Sequence, residues 1–553
     1  AQACTWPELL RGWWCVGACG IEPDRGRRPT GGNAGFPLSL DAMPDSRVDA
    51  QAREVNKATS WLDISWLMLS DIIGTSVLVF PGVAQKLGWV LTVLFILGLF
   101  PISLFVSLLM ARTRRLLTEL ALAESPKTPP PRLDTMGEVA RCALGSEWAV
   151  AVYFAVYGYN LLGQASYLLV LGTSLQQVFW STPLCIPRAI AVGCAVLLLP
   201  IFAVRRLGES VWLCLINTII IAVVIVVALL HIASLDRSSC SQTHLVPPGL
   251  TVMTVLGQVT NVLYAFTGQW MYFELMATMS KPQDFPRAFA ITGPFMMSSY
   301  LAVALISYAL GAGHDDLVAS MEAGATLRVV ALLLFVHVSI VYLIKSVVLA
   351  RYFHGLFHPA EVDLRTSASY MRHGSWGVAM LTFGYLVANA VPFFSQLLGL
   401  IGGLLAGPIN FLIPIVFYLT AFGRHLRLHK REAVDRAEVA GGDAAVEGTT
   451  EYGTCTIEGE PAENDSFTTE TTASASLGSE EASKAAAIRA AVCALPSWEL
   501  AMLLLTVLLT FLTIVLGFTE QVREVLAKQS TFGYPFSCHP LDLSHAGGAA
   551  CAP

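Results

Sequence analysis

The chain has 553 residues, of which 54% are hydrophobic and only 13% are charged, and its mean hydropathy is +0.60. A soluble protein of this length would carry about a quarter charged residues, so the composition excludes an ordinary soluble domain. The net charge of −6 says nothing about partners, because most of the acidic excess lies in residues 432–481.

Eleven long apolar stretches follow one another along the chain. Most of them have at least the roughly 20 residues that an α-helix needs to cross a bilayer, and the fourth is the shortest. They are continuous rather than alternating over about ten residues, which excludes a transmembrane β-barrel. The sequence predicts an all-α multi-pass membrane protein with eleven transmembrane helices at about 64–84, 88–111, 148–173, 188–204, 211–233, 250–276, 289–311, 327–350, 375–393, 397–421 and 498–519.

Small residues interrupt the first stretch at Gly74-Thr75-Ser76. Glycine permits unusual backbone dihedrals, and broken backbone inside a bilayer is tolerated only where it is buried in protein or lines a cavity. Amide groups at such a break can bind a carboxylate, helped by the positive end of the next half-helix. We therefore predict that Gly74, Thr75 and Ser76 bind substrate. Asp71, one turn or less before the break, either caps the half-helix or carries a coupling ion.

The sixth stretch is interrupted in the same way at Thr267-Gly268. Two breaks at corresponding places in two halves of a bundle are the best sequence indication of a transporter site. We predict substrate binding by Phe266, Thr267, Gly268 and Trp270, although the aromatic rings are equally consistent with helix packing. Glu274 is a second carboxylate within the membrane and a second candidate for ion coupling.

Clusters of Arg and Lys follow the even-numbered stretches, which places the N-terminus in the cytoplasm. Residues 437–484 are rich in Ala, Gly, Glu, Ser and Thr, a composition typical of disorder. The predicted organisation is a largely disordered cytoplasmic N-terminal segment (1–60), a transporter core (61–421), a disordered cytoplasmic loop (422–496), an eleventh transmembrane helix (497–519) and a non-cytoplasmic tail (520–553).

The cysteines are scattered, and none forms a C-x-x-C pair, so a zinc site is not expected. Cys185 and Cys240 fall in loops predicted to lie on the same, non-cytoplasmic side. A disulfide between them is one expectation from the sequence.

Three segments, in this order, resemble motifs of the amino acid/auxin permease (AAAP) family, a branch of the amino acid–polyamine–cation (APC) superfamily. The first is the break at Gly74, with Pro81 and the following Gln85-Lys86-Leu87-Gly88-Trp89. The second is the Thr267-Gly268 break with the Lys-Pro-x-Asp-Phe-Pro tail at 281–286. The third covers 391–403 and 411–414. The resemblance extends over about 60–421 and the last stretch.

This resemblance implies a LeuT-like fold of two inverted five-helix repeats plus one extra helix. The substrate would bind between the broken first and sixth helices, completed by the third and eighth. His337 would either relay protons or act as a hydrogen-bonding packing residue. Lys345, near the cytoplasmic end, would either belong to this site or snorkel to the membrane surface. The candidates implied for the third and eighth helices are Tyr157, Asn160, Gln164, His337, Ser339 and Lys345.

The sequence departs from the family pattern at three positions. Ser76 replaces the second glycine of the first motif, and Gln269 replaces the usual histidine of the second. Some members use an asparagine of the first helix for sodium, and the nearest position here is Ser70. Because two carboxylates remain and no sodium cage is evident, proton coupling is favoured, with Asp71, Glu274, Ser70 and His337 as the candidate ion-coupling residues.

The sequence thus predicts a secondary active transporter that moves amino acids by alternating access, coupled to protons. The alternatives are sodium-coupled transport or a transporter-like receptor that senses amino acids through the loop 422–496. Because G-x-S-x-G, H-E-x-x-H and P-loop motifs are missing, we expect no enzyme, no metal site and no cofactor beyond the coupling ion, H⁺ or Na⁺. The expected partners are a small amino acid and the bilayer of a plasma, vacuolar or lysosomal membrane, without nucleic acid.

Overall fold

The computed structural model describes residues 59–127, 129–182, 184–204, 211–235, 243–311, 316–358, 361–362, 364, 366–439, 472–532 and 536–538. Within these residues no β-strand occurs, and extended backbone pairs only at a parallel bridge between Thr59 and Met279. In chain order the helices are α1 (Trp61–Ile72), α2 (Phe80–Glu124), α3 (Met136–Leu144), α4 (Ser146–Val178), α5 (Ile186–Ala203), α6 (Val211–Ala233), α7 (Val252–Ala265), α8 (Tyr272–Thr278), α9 (Phe285–Ala309), α10 (Ala325–Phe357), α11 (Ser367–Ala390), α12 (Phe394–Ile401), α13 (Ile413–Val439), α14 (Thr472–Ala494), α15 (Ser497–Leu512) and α16 (Phe518–Phe532).

Each predicted apolar stretch coincides with one of these helices or with a pair of half-helices. Seven helical segments of the described chain are long and apolar enough to cross a membrane. The prediction of an all-α multi-pass membrane protein is therefore confirmed, while the count of eleven spans and the inverted repeats stay predictions. The boundaries differ most at the second stretch, where α2 continues to Glu124 instead of ending near residue 111.

The first helix is broken where the small residues predicted it. Helix α1 ends at Ile72, Gly74 leaves the helical conformation, and a 3₁₀ turn over Thr75–Val79 leads into α2. This geometry follows from the sequence, because glycine supplies backbone freedom at the break.

A second change of direction occurs at Gly88, which separates the start of α2 from its remainder with a φ of 72°. A Cβ atom here would lie 2.8 Å from the carbonyl oxygen of His244. The next two amides, of Trp89 and Val90, donate to the carbonyls of His244 and Leu245 at 3.2 and 3.1 Å. Glycine is required at this point both for the positive φ and for the close approach of the loop before α7.

The sixth stretch is also broken at the predicted residues. Helix α7 ends at Ala265, Gly268 adopts a non-helical φ of −164° and ψ of −5°, and a 3₁₀ turn over Gln269–Met271 leads into α8. At the far end of α8, the backbone amide of Ser280 donates to the carbonyl of Thr59 at 3.2 Å. The start of α1 and the end of α8 are thus joined to each other.

The loop predicted to be disordered over 422–496 is partly helical, which corrects that expectation. Helix α13 continues to Val439, and α14 occupies Thr472–Ala494, whereas residues 440–471 lie outside the described chain. Alanine is the best helix former, and α14 is rich in it. A Cβ atom at Gly423 would lie 1.9 Å from the carbonyl oxygen of Ala487, so the missing side chain lets the two helices touch.

Two further features differ from the sequence prediction. Helix α16 carries the last stretch on to Phe532, so the predicted tail 520–553 begins as a helix. Cys185 forms its disulfide with Cys538, not with Cys240, because Cys538, beyond α16, lies next to the start of α5. Cys240 and residues 1–58 lie outside the described chain.

The connector before α4 contains the short helix α3, which the sequence analysis missed. The signal was present: the Thr135 hydroxyl accepts from the amide of Glu138 at 3.2 Å, and the Glu138 carboxylate accepts from the amide of Asp134 at 2.9 Å. Ser/Thr-x-x-Glu is the signature of a capping box at a helix start. Gly137 packs so closely on the Tyr153 ring that a Cβ atom would lie 2.2 Å from it, which places α3 against α4.

Candidate functional site

The two broken helices face each other across a small polar cavity. It has room for about one water molecule, so a larger ligand can enter only after the surrounding helices move apart. Its lining includes both breaks together with side chains of α4 and α10. The lining residues are Asp71, Ile72, Thr75, Ser76, Tyr159, Tyr167, Tyr264, Thr267 and Lys345.

A buried ion pair spans this cavity. The Lys345 ammonium lies 3.1 Å from an Asp71 carboxylate oxygen, and the two side chains are only 12% and 6% exposed. The same ammonium donates to the Tyr167 hydroxyl at 2.7 Å and lies 5.6 Å from the centre of the Trp270 ring. Of the two alternatives for Lys345, snorkelling to the membrane surface is therefore wrong, because the ammonium is paired inside the bundle with Asp71.

Tyr300 of α9 connects two backbone carbonyls that the breaks release from helical hydrogen bonding. Its hydroxyl oxygen lies 3.1 Å from the carbonyl oxygen of Ile72 and 2.8 Å from that of Ala265. A phenol has one proton, so it donates to one carbonyl at a time. Ser76 donates to the same Ile72 carbonyl at 2.8 Å. Side-chain hydroxyls thus satisfy carbonyls that the breaks release from the helices. No pattern in the sequence indicated this role of Tyr300.

The second break is held open by carboxamide side chains. The Gln269 oxygen accepts from the amide of Gly268 at 2.9 Å, while its nitrogen donates to the Ser103 hydroxyl at 2.9 Å. The Asn410 oxygen accepts from the amide of Trp270 at 3.0 Å. Gln269, the departure from the family's histidine, therefore serves as a local cap for the unwound backbone.

Four of the predicted substrate residues fall into two groups. Thr75, Ser76 and Thr267 line the cavity, and the Thr267 hydroxyl lies 2.9 Å from that of Tyr159. Phe266 instead packs edge-on against Tyr300 with ring centroids 5.5 Å apart, as a buried packing residue.

Two of the predicted ion-coupling residues lie behind the first break, next to Asn217 of α6. The Asn217 amide nitrogen donates to the Ser70 hydroxyl at 2.9 Å, and the His337 Nδ1 lies 3.2 Å from the Asn217 carbonyl oxygen. A Cβ atom on Gly74 would lie 3.8 Å from His337 Nε2. His337 is fully buried and lies beside the break without lining the cavity between the helices.

Glu274 is not part of the same cavity. Its electrostatic neighbours are Glu138 of α3, Asp134 just before it, and Tyr157, whose ring stacks on Tyr352 with centroids 3.5 Å apart. Burial raises the pKa of the Glu138 carboxyl, which lies outside the membrane-spanning helices. The structure thus separates the two carboxylates that the sequence offered as alternatives, and of these two only Asp71 lines the polar cavity between the breaks.

The other residues implied for the third and eighth helices contribute less to the cavity. Asn160 and Ser339 each donate back to a carbonyl of their own helix, at 2.9 and 2.8 Å. The residues that the sequence analysis missed are the tyrosines Tyr159, Tyr167 and Tyr264. Their burial and their place in the cavity lining come from the packing of α4 and α7, which sequence spacing does not reveal.

Comparison with known proteins agrees with this architecture. The family described as transmembrane amino acid transporter protein matches residues 57–435, well over half of the chain. A transmembrane transporter of Fusarium pseudograminearum is 24% identical over 240 residues, which cover 40% of this chain and 49% of the relative.

Two other fungal relatives are similar. A transmembrane transporter of Gibberella moniliformis is 28% identical over 180 residues, covering 30% of this chain and 36% of the relative. The N amino acid transport system protein of Neurospora crassa is 25% identical over 167 residues, covering 29% and 35%. The matched regions thus span about half the length of these relatives or less. On the family match, the chain belongs to the transmembrane amino acid transporter family, a family of transporters rather than enzymes.

Proposed function

We propose that this protein carries an amino acid across a membrane by alternating access and that a proton moves with it. The observation that carries the proposal is the position of the Asp71–Lys345 pair, which lies between the two unwound segments. A carboxylate and an ammonium in a cavity of this kind match the two charged groups of a zwitterion.

The ion pair can open only when its charges find new partners. Removing one partner from a buried pair costs about 3–5 kcal/mol. A proton on Asp71 would neutralise the carboxylate, and the carboxylate of the substrate would then take its place beside Lys345. The substrate amine would donate to hydroxyl and carbonyl groups at the breaks, where Ser76 and Thr267 lie. The loaded cavity would carry one net positive charge.

A proton fits this site better than sodium. Two like charges about 4 Å apart repel by about 4 kcal/mol at an effective dielectric constant of 20. A sodium ion bound by Asp71 would lie this close to the Lys345 ammonium, which is already 3.1 Å from the carboxylate. A proton bonds to the carboxylate itself and leaves the ammonium in place. His337 and Ser70, behind the first break, are then candidates for a proton path.

The small size of the cavity supports a rocking mechanism. Space for about one water molecule cannot hold a zwitterion, so the surroundings must open to admit one and close around it. The disulfide between Cys185 and Cys538 supports an orientation in which that end of the bundle faces a non-cytosolic space. The N-terminus would then be cytoplasmic, in a plasma, vacuolar or lysosomal membrane.

The proposal is tested by uptake into liposomes that contain the purified protein. A panel of labelled amino acids is offered with a proton gradient or a sodium gradient imposed separately. We expect concentrative uptake of at least one amino acid with the proton gradient alone. Concentrative uptake that requires sodium would replace the proton as the coupling ion, and binding without net uptake would identify a sensor.

A further inference from the structure

Helix α16 extends the last apolar stretch to Phe532 and precedes Cys538, whose disulfide with Cys185 marks one end of the bundle, here called the disulfide end. Near the middle of this helix, Glu524 contacts two different parts of the transporter. Both of its carboxylate oxygens accept from the Lys86 ammonium, at 2.8 and 2.9 Å. One of them also accepts from the Gln396 amide nitrogen at 2.9 Å.

The two residues that Glu524 joins belong to different elements, the first broken helix and α12. Lys86 lies just before the turn at Gly88, so it marks the far end of the first broken helix. Gln396 lies in α12. A movement that separates the first broken helix from α12 must therefore break one side of the Glu524 bridge.

The rest of α16 is fixed to α7 and α12. The Gln521 amide nitrogen donates to the carbonyl of Gly257 in α7 at 2.5 Å. A Cβ atom on Gly399 of α12 would lie 2.3 Å from the Gln521 carboxamide carbon, so this contact is close. Beyond α16, Cys538 is bonded to Cys185 at the start of α5. Glu524 is thus presented to Lys86 from a helix that is anchored on other elements.

We propose that Glu524 is the gate residue of the disulfide end: its bridge between Lys86 and Gln396 holds that side of the transport pathway closed and must open in each cycle. The bridge is a positioning element, because it acts through the first broken helix and does not touch the cavity. The inference rests on the proposed alternating access. The side chains of Lys86 and Glu524 are 29% and 18% exposed, so water can replace the broken contacts during opening.

The test measures how often the cavity opens to each side. Thr75→Cys places a thiol in the cavity, and a membrane-impermeant maleimide is added from one side of sealed liposomes, followed by peptide mass spectrometry. Neutralising a partly exposed ion pair changes an equilibrium by up to about fivefold. With Glu524→Gln we expect labelling from the disulfide end to rise by about this factor and labelling from the opposite end to fall.

Two further variants make the result specific. Exchanging the charges in Lys86→Glu with Glu524→Lys restores the pair and is expected to return both labelling rates toward those of the parent. Arg523→Gln, whose side chain is 77% exposed on the same helix, is the matched control and is expected to change neither rate. Equal labelling of the parent and Glu524→Gln from both sides would overturn the gate, as would an exchange that fails to restore the rates.

Uptake of amino acids by the protein with its native Thr75 is measured in parallel. Absence of uptake together with the predicted labelling changes would reject transport while the gate stands. Normal uptake with unchanged labelling would reject the gate alone.

Discussion

Lys345 of α10 reaches into the bundle and pairs with Asp71 in the last turn of α1, 3.1 Å away. The pair connects a long continuous helix to the first of the two broken ones. Inside a membrane each of these charges would be strongly unfavourable alone. Asp71 and Lys345 both line the cavity between the breaks, so under the proposed mechanism a proton or a zwitterion would act on this ion pair.

Removing one charge of this pair should destabilise the protein more than removing both. Lys345→Met leaves a buried carboxylate without its cation, which we expect to lower the free energy of unfolding by about 3–5 kcal/mol. The double variant with Asp71→Asn should recover most of that loss and still fail to transport. Thermal unfolding in detergent and uptake in liposomes measure the two effects. Equal stability of the single and double variants would contradict the pairing.

Tyr300→Phe should weaken the link between the two breaks. The lost hydroxyl leaves the Ala265 carbonyl without this donor, whereas the Ile72 carbonyl keeps its hydrogen bond from Ser76. A buried group deprived of its partner costs about 1–3 kcal/mol. We expect a lower melting temperature and slower uptake. Ser299→Ala on the exposed side of the same helix is the control and should leave both unchanged. A Tyr300→Phe protein with parental stability would show that the Ala265 carbonyl needs no donor.

Gly88→Ala should disrupt the turn between the first and second stretches. The positive φ alone disfavours alanine by about 1–2 kcal/mol, and its Cβ would lie 2.8 Å from both the His244 carbonyl oxygen and the Pro247 Cδ. The matched control is Gly98→Ala in the same helix, where nothing lies within 4 Å of the added atom. We expect a loss of folded protein only for Gly88→Ala, measured by size-exclusion chromatography. Similar yields for both variants would contradict the turn geometry.

Glu138 should make the stability of the protein depend on pH. Burial raises the pKa of its carboxyl, so the folded protein holds this proton more tightly than the unfolded chain does. The resulting stabilisation is fully present below the ordinary glutamate pKa of about 4.3 and is lost as pH rises through the raised value. Relative to Glu138→Gln, the parent should lose melting temperature as the pH is increased. Parallel melting curves for the two proteins would contradict this, and exposed Glu147→Gln serves as the control.

The breaks were predictable from sequence, because Gly74 and Gly268 interrupt runs that are otherwise continuously apolar. The partner of Lys345 was not, since it depends on how α10 docks against α1. The same reason applies to Tyr300 and to Cys538, whose contacts come from elements far apart in the chain. The prediction of disorder from composition was also wrong for α14. Its many alanines favour a helix although large apolar residues are few.

The most direct test of the account follows proton movement into liposomes that contain the purified protein and a pH-sensitive dye. When a transported amino acid is added outside without sodium, we predict that the lumen acidifies in step with uptake and that Asp71→Asn abolishes this acidification. Uptake without any pH change, or acidification that persists in Asp71→Asn, would contradict a proton carried at the Asp71–Lys345 pair.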